Sequence, residues 1–343
     1  MPAGLLGERG TAAAGWPARR ENARHEDSCP APGDGPAMTP ITGGQYQISA
    51  GGYQATVTEL GAGLRELSHD GTPAVAGYQA DELPPGAAGE LLAPWPNRID
   101  GGRYTLGGVT YQLDLSEPGA GNAIHGLTRW AAWTLARHDP GAVQLSLRLP
   151  GRQGYPFTLD LTARYEVTAD TGLTVTVTAR NPGSRPAPYG LGAHPYLTTG
   201  TATVDECELL LPAARWLPAD DRGIPAGPAQ DVAGTPLDFR TARPVGATRV
   251  DHAFTGLTRE ADGRVWVRLA SGGRQVALWA GDGMDWLQVF TGDTLAEPHR
   301  RRALAVEPMT CPPNAFASGT DLLLLAPAGS VTRTWGIQVT AAA

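Results

Sequence analysis

Phe157-Thr158-Leu159-Asp160-Leu161-Thr162-Ala163-Arg164-Tyr165-Glu166-Val167 is followed, after Asp170-Thr171-Gly172, by Leu173-Thr174-Val175-Thr176-Val177-Thr178-Ala179, and the reading of these two arms decides the fold. In both arms apolar residues alternate with polar ones, a period of two that puts one set on each face of a strand. The intervening Asp-Thr-Gly step turns the chain back beside itself. The pair therefore reads as an antiparallel hairpin with one buried and one wet side.

The same pattern recurs outward in both directions. Residues 46–49 and 53–58 flank Gly51-Gly52, where the absence of Cβ atoms permits the positive φ of a tight hairpin. Residues 103–106 pair by pattern with 109–113, and 265–269 with 275–280; 207–211, 286–290, 321–325 and 333–339 read as further strands, and 212–245 as mainly loop. No segment of helical length carries a 3.6-residue stripe. Frequent glycine turns and repeated alternation predict an all-β sandwich or barrel of mostly antiparallel strands. One large domain is expected over 38–343. Residues 1–37, rich in Gly, Ala, Pro, Arg and Glu, read as a disordered leader or extension, with Met38 as an alternative start.

Composition removes several function classes. A formal charge of −7 opposes a nucleic-acid footprint. All 27 basic side chains are arginine, so neither a Schiff-base lysine nor the lysine of a phosphate-binding loop is available. Cys29, Cys207 and Cys311 are too scattered for a disulfide framework or zinc knuckle, which fits a cytoplasmic setting. No run is long and apolar enough to span a bilayer, so no membrane partner is expected.

Candidate chemistry gathers near strand ends and loops. Pro188-Tyr189-Gly190-Leu191-Gly192-Ala193-His194-Pro195-Tyr196 places a histidine between two tyrosines that could wall a ligand site, although a histidine bridging a turn has the same local signature. Asn97 and Arg98 sit in a loop stiffened by Pro94 and Pro96, and His125 lies in a loop beside Gly126. Asp251 opens a short apolar segment. Leu304-Ala305-Val306-Glu307-Pro308 reads as a strand that ends with Glu307 at its rim, its direction fixed by the following proline. Brought together, these residues could move protons on a neutral polyol. The chain shows no nucleophile elbow, nucleotide-binding glycine loop or close metal-ligand spacing, so no metal is expected.

The landmarks Asn97-Arg98-Ile99, Asn122-Ala123-Ile124-His125-Gly126, Gly192-Ala193-His194-Pro195-Tyr196, Asp251-His252-Ala253-Phe254, Gln288-Val289-Phe290-Thr291-Gly292 and Val306-Glu307-Pro308 stand in an order and spacing that resemble the aldose 1-epimerase family, the galactose mutarotases. The resemblance implies a β-supersandwich that interconverts the α and β anomers of a free aldohexose without a cofactor. It implies Glu307 as general base and His194 as general acid, with Asn97, Arg98, His125, Asp251 and Gln288 binding the monosaccharide. Leu92-Ala93-Pro94-Trp95-Pro96-Asn97-Arg98-Ile99 and the Glu117-Pro118 pair resemble a bacterial subgroup of that family. Three other readings remain open here: a hydrolase using Asp251 as second carboxylate, a sugar-binding module using Trp95, Trp130 and Trp216, and an epimerase of hexose 6-phosphates met by Arg129, Arg215 or Arg222. An oligomeric partner is not legible in this sequence.

Overall fold

A computed structural model describes residues 39–200 and 203–342. The leader reading at 1–37, with Met38 and Cys29, lies outside the described residues. Two antiparallel sheets carry most of the chain. The larger has nine strands, with the twelve-residue strand Ser330–Ala341 at its centre and, beside it, the hairpin Leu159–Thr168 with Gly172–Arg180. Leu159, Leu161, Ala163, Tyr165 and Val167 are buried while the alternate residues are half-exposed, as a period of two requires.

The second sheet has eight strands, and the order relevant to function is Ala213–Leu217, Asp251–Leu257, Trp286–Phe290, Leu304–Met309, Gly192–Ala193 and Leu91–Leu92. Leu161, Val175 and Leu278 of the first sheet share one hydrophobic core with Phe254, Leu287, Val289 and Val306 of the second. The protein is thus an all-β sandwich. Alternation then places Gln288 and Glu307 on the opposite face of the second sheet, away from that core.

Several expected elements are displaced. The segment 212–245, read as loop, contributes the strands Ala213–Leu217, Gln230–Asp231 and Arg243–Pro244. Helix is confined among the described residues to the four-residue Ala315–Ser318 and two 3₁₀ turns. No helix of the described residues is long and apolar enough to cross a membrane.

Glu307 is not at a rim. Its strand runs through Pro308 to Met309, and Glu307 pairs with Gln288 in mid-strand. The proline is tolerated because the strand on its other side is already broken between Gly192–Ala193 and Tyr196–Leu197.

Candidate active site

Register builds the centre of the site. Gly192 pairs with Met309 and Tyr196 with Ala305, so His194 lies directly across from Glu307. Gly192 also pairs with Leu92 and Ala193 with Leu91, which sets Glu90 across from His194 on the other side; the His194 amide donates to the Glu90 carbonyl at 3.1 Å. Gln288, Glu307, His194 and Glu90 therefore form one polar row across the outer face of the sheet. His194 Nε2 stands 3.3 Å from Glu307 Oε1, and both side chains are almost wholly buried. Tyr196 stacks on the His194 ring at 5.0 Å between centroids. Tyr189, the other expected wall, is buried elsewhere and pairs with Leu323.

A small ribbon supplies the facing wall. Arg98–Asp100 pairs with Asn122–Ile124, and just beyond its end the His125 amide donates to the Asn97 carbonyl at 2.9 Å. Asn97 and His125 both have left-handed backbones, φ 53° and 61°, a conformation that costs energy outside glycine and clusters at functional sites. Gly126 follows at φ 73°, and a Cβ there would fall 2.1 Å from the Ala93 carbonyl oxygen. The tight turn thus packs onto the 91–93 segment and sets the His125 ring against His194, 5.3 Å between centroids.

Asp251, at the start of its strand, accepts from Gln288 Nε2 at 2.7 Å. Arg98 is held in a fork by Glu117, with Nε and Nη2 donating at 2.9 and 2.8 Å. Such bidentate pairs fix a guanidinium in one plane. Asn122 Nδ2 donates to Glu117 at 3.0 Å, so the clamp is itself held. All seven residues singled out in the sequence (Asn97, Arg98, His125, His194, Asp251, Gln288 and Glu307) line one cavity of about 260 Å³. None of Trp95, Trp130 and Trp216 does.

Sequence reasoning missed the Glu90–Arg129 pair. Glu90 is fully buried, Arg129 Nε lies 3.0 Å from its Oε2, and Arg129 lines the same cavity. A lone carboxylate ahead of two leucines carried no local signal; only the register across from His194 reveals it. Glu117 was legible as a landmark but not as the clamp of Arg98.

Burial dominates the electrostatics. It pushes Glu307 well above the carboxylate range, helped by the charge of Asp251 and opposed by Arg98. It pushes His194 down to about 3, with the Arg129 charge acting the same way. Burial thus moves both partners toward their neutral forms. His125 is lowered well below the ordinary imidazole value, first by burial, then by repulsion from His194 whenever that ring is protonated, and by the Arg129 and Arg98 charges. The Asp251 carboxyl is raised by burial against the pull of Arg98 and the Gln288 hydrogen bond, and Glu90 is pushed up to about 7 by burial although Arg129 acts against it.

The aldose 1-epimerase family profile matches residues 44–337. The uncharacterized protein YihR of Escherichia coli (strain K12) is 38% identical over 285 residues, 83% of this chain and 89% of that protein. An aldose 1-epimerase of the same organism is 28% identical over 211 residues, 59% of this chain and 60% of the relative. In fold, the chain resembles the crystal structure of a GalM/aldose epimerase homologue from C. elegans, with a TM-score of 0.79 at 21% identity, covering 88% of this chain and 99% of that one.

Proposed function

The chain belongs to the aldose 1-epimerase family, and from that premise we propose that it interconverts the α and β anomers of a free aldohexose of glucose or galactose type without a cofactor. The observation that carries this reading is the buried contact of 3.3 Å between an imidazole and a carboxyl on the wall of a sugar-sized cavity. Glu307 takes the proton of the C1 hydroxyl as general base, and His194 gives a proton to the ring oxygen O5 as general acid. The C1–O5 bond breaks, C1 becomes an aldehyde carbon and O5 a hydroxyl. Rotation about C1–C2 turns the other face toward O5, and closure with the roles reversed gives the other anomer.

One proton is taken and one given in each half-reaction, so the pair's total does not change. The neutral pair favoured by burial is the state left by ring opening, while the ionic pair that begins it lies one proton hop away across the same contact. The Arg98 charge, which lowers Glu307, favours that ionic form. Asn97, Arg98, His125, Asp251 and Gln288 bind and orient the hydroxyls; His125 Nδ1 and Gln288 Oε1 are buried polar atoms without partners among the described residues.

Catalysed anomer exchange on glucose and galactose, followed by polarimetry or exchange NMR, tests the proposal. Protein that leaves the spontaneous rate unchanged for both sugars and for their 6-phosphates would overturn it. Binding without turnover would support a sugar-binding module instead.

One observation favours hexose 6-phosphates as substrates. Arg129 lines the cavity beside His194, with its Nε 3.0 Å from Glu90 Oε2 and its guanidinium 4.5 Å above the Trp130 ring. C6 is carried on C5, which adjoins O5, so a group there falls on the His194 side, and a guanidinium at that wall suits a phosphate. Of the other two arginines, Arg215 pairs with Asp231 and the Ala229 carbonyl, while Arg222 is bound to Asp100 and Asn122. A preference of about tenfold or more in kcat/KM for a 6-phosphate over the free sugar would establish this substrate.

A further inference from the structure

One buried carboxyl stands in the polar row without a part in the reaction. Glu90 is 0% exposed, and neither of its oxygens accepts a hydrogen bond among the described residues. Arg129 Nε lies 3.0 Å from its Oε2, a contact of charges without the alignment of a hydrogen bond. A buried pair so poorly satisfied is a costly way to hold a fold, and apolar residues of like volume often serve as well or better. We propose that Glu90 is a positioning residue of the acid–base pair that acts through Arg129: its carboxylate offsets the guanidinium charge and so lets His194 carry the proton that it gives to O5. The inference rests on the anomerase reading of the site.

The backbone fixes these three groups relative to one another. The His194 amide donates to the Glu90 carbonyl at 3.1 Å, and the Gly89 amide donates to the His194 carbonyl at 2.9 Å. Gly89 has φ 74°, and a Cβ there would fall 2.1 Å from the Leu64 carbonyl oxygen, so the segment that carries Glu90 is pressed into place. The Arg129 end is as confined: a Cβ on Gly61 would lie 2.7 Å from the Arg129 carbonyl oxygen, and the guanidinium lies 4.5 Å above the Trp130 ring. Arg129 and His194 line the sugar cavity, whereas Glu90 does not. Glu90 therefore reaches the reaction only through its neighbours.

The charges give that contact its direction. Arg129 lowers both His194 and His125, and so opposes the imidazolium that must form before the ring oxygen is protonated. Glu307 answers instead to Asp251 and Arg98. Arg129 thus biases the pair against its ionic form from the histidine side. An ionised Glu90 beside the guanidinium cancels much of that bias, and a protonated one leaves it standing. Of the groups around Glu90, Arg129 is the cation in contact, His194 lies across the strand, and the Tyr78 phenol, pushed up to about 12 by burial, carries no charge near neutral pH. Burial raises Glu90 to about 7 against the pull of Arg129, so the offset is present above that value and is lost as pH falls through it.

The test is anomer exchange on glucose and galactose, read as kcat and KM against pH, for the wild type, Glu90→Gln and the double variant Glu90→Gln/Arg129→Gln. Near pH 8, Glu90→Gln is expected to lower kcat about 10- to 100-fold, the effect of one uncompensated charge on the proton-bearing fraction of the imidazole, with KM changed less than about threefold. Removing the cation as well is expected to recover about tenfold of that loss, which a purely structural role for Glu90 would not allow. Wild-type kcat should rise as pH passes through about 7, and Glu90→Gln should lack that rise. An unchanged kcat in Glu90→Gln overturns the inference, as does a double variant no faster than the single one. If Glu90→Gln does not fold, the profiles of the wild type and Arg129→Gln decide: a rise through pH 7 confined to the wild type supports the inference, and identical profiles overturn it. Wild-type protein inactive on every sugar and on their 6-phosphates instead overturns the reading of the site itself.

Discussion

The two sheets of the sandwich treat their carboxyl groups in opposite ways. On the wet face of the nine-stranded sheet, Asp160 accepts from Arg148 at 2.7 and 3.0 Å, and that pairing holds its carboxyl below the ordinary range. On the outer face of the eight-stranded sheet, Glu307 and neighbouring Glu90 are buried, and burial drives both upward. The first arrangement is ordinary scaffold. The second disfavours the charged forms of its carboxyls, and such shifts cluster at functional sites, so the difference separates plain scaffold from the face that carries the proposed chemistry.

Exchanging one residue in each sheet should split activity from stability. Glu307→Gln is expected to lower kcat about 10³- to 10⁴-fold, since it removes the proton acceptor but keeps the shape. Its unfolding midpoint at neutral pH should not fall, because the neutral amide replaces a carboxyl that the fold already prefers protonated. A smaller free-energy change of the opposite kind is expected from Leu161→Ala, fully inside the shared core: about 3 kcal/mol of stability lost, with kcat per folded molecule unchanged. Chemical denaturation and anomer exchange on the same samples check both. A Glu307→Gln protein that unfolds early but turns over normally would erase the distinction between the sheets.

The same contrast explains what could be read from the sequence. The hairpin over 157–179 was legible because burial there follows a local period of two, and each arm is long enough to show it. Short strands such as Gly192–Ala193 and Leu91–Leu92 have no period to read, and the His194 segment looked like a loop. Glu307 was legible as a candidate, but its place in mid-strand was not, since a proline within a central strand is allowed only by the break in the adjacent strand. The candidate residues were found through motif order. Their meeting point depends on pairing between segments far apart in sequence, which no local pattern encodes, and Glu90 is visible only through that pairing.

Titration should sharpen the comparison further. Glu90 is raised from 4.5 to about 7 in the folded protein, so between those values the folded state holds a proton that the unfolded state has released. Its contribution to stability is therefore full below the unfolded value and is lost as pH rises through about 7. Denaturation midpoints measured near pH 5 and near pH 8 should show this decline in the wild type and a shallower one in Glu90→Gln. An unchanged slope would mean that Arg129, 3.0 Å away, keeps Glu90 ionised in the fold.

Asp160 should show the opposite sign and the smallest effect. Its carboxyl is lowered by Arg148, so the stability it supplies is present above the unfolded value near 3.8 and disappears as pH falls through the folded one. The pair is partly solvent-exposed, with side-chain exposure of 69% for Arg148 and 30% for Asp160. Water and salt screen such a pair, and its arginine gives up rotamer freedom to hold one geometry. Asp160→Asn is therefore expected to cost about 0.2–1 kcal/mol at neutral pH and progressively less as pH falls below 3.8, with anomer exchange unaffected. The loss should shrink in high salt, whereas the effect of Glu90→Gln, arising from burial, should not. If both variants respond equally to salt, the carboxyls of the two sheets do not differ in the way their surroundings require.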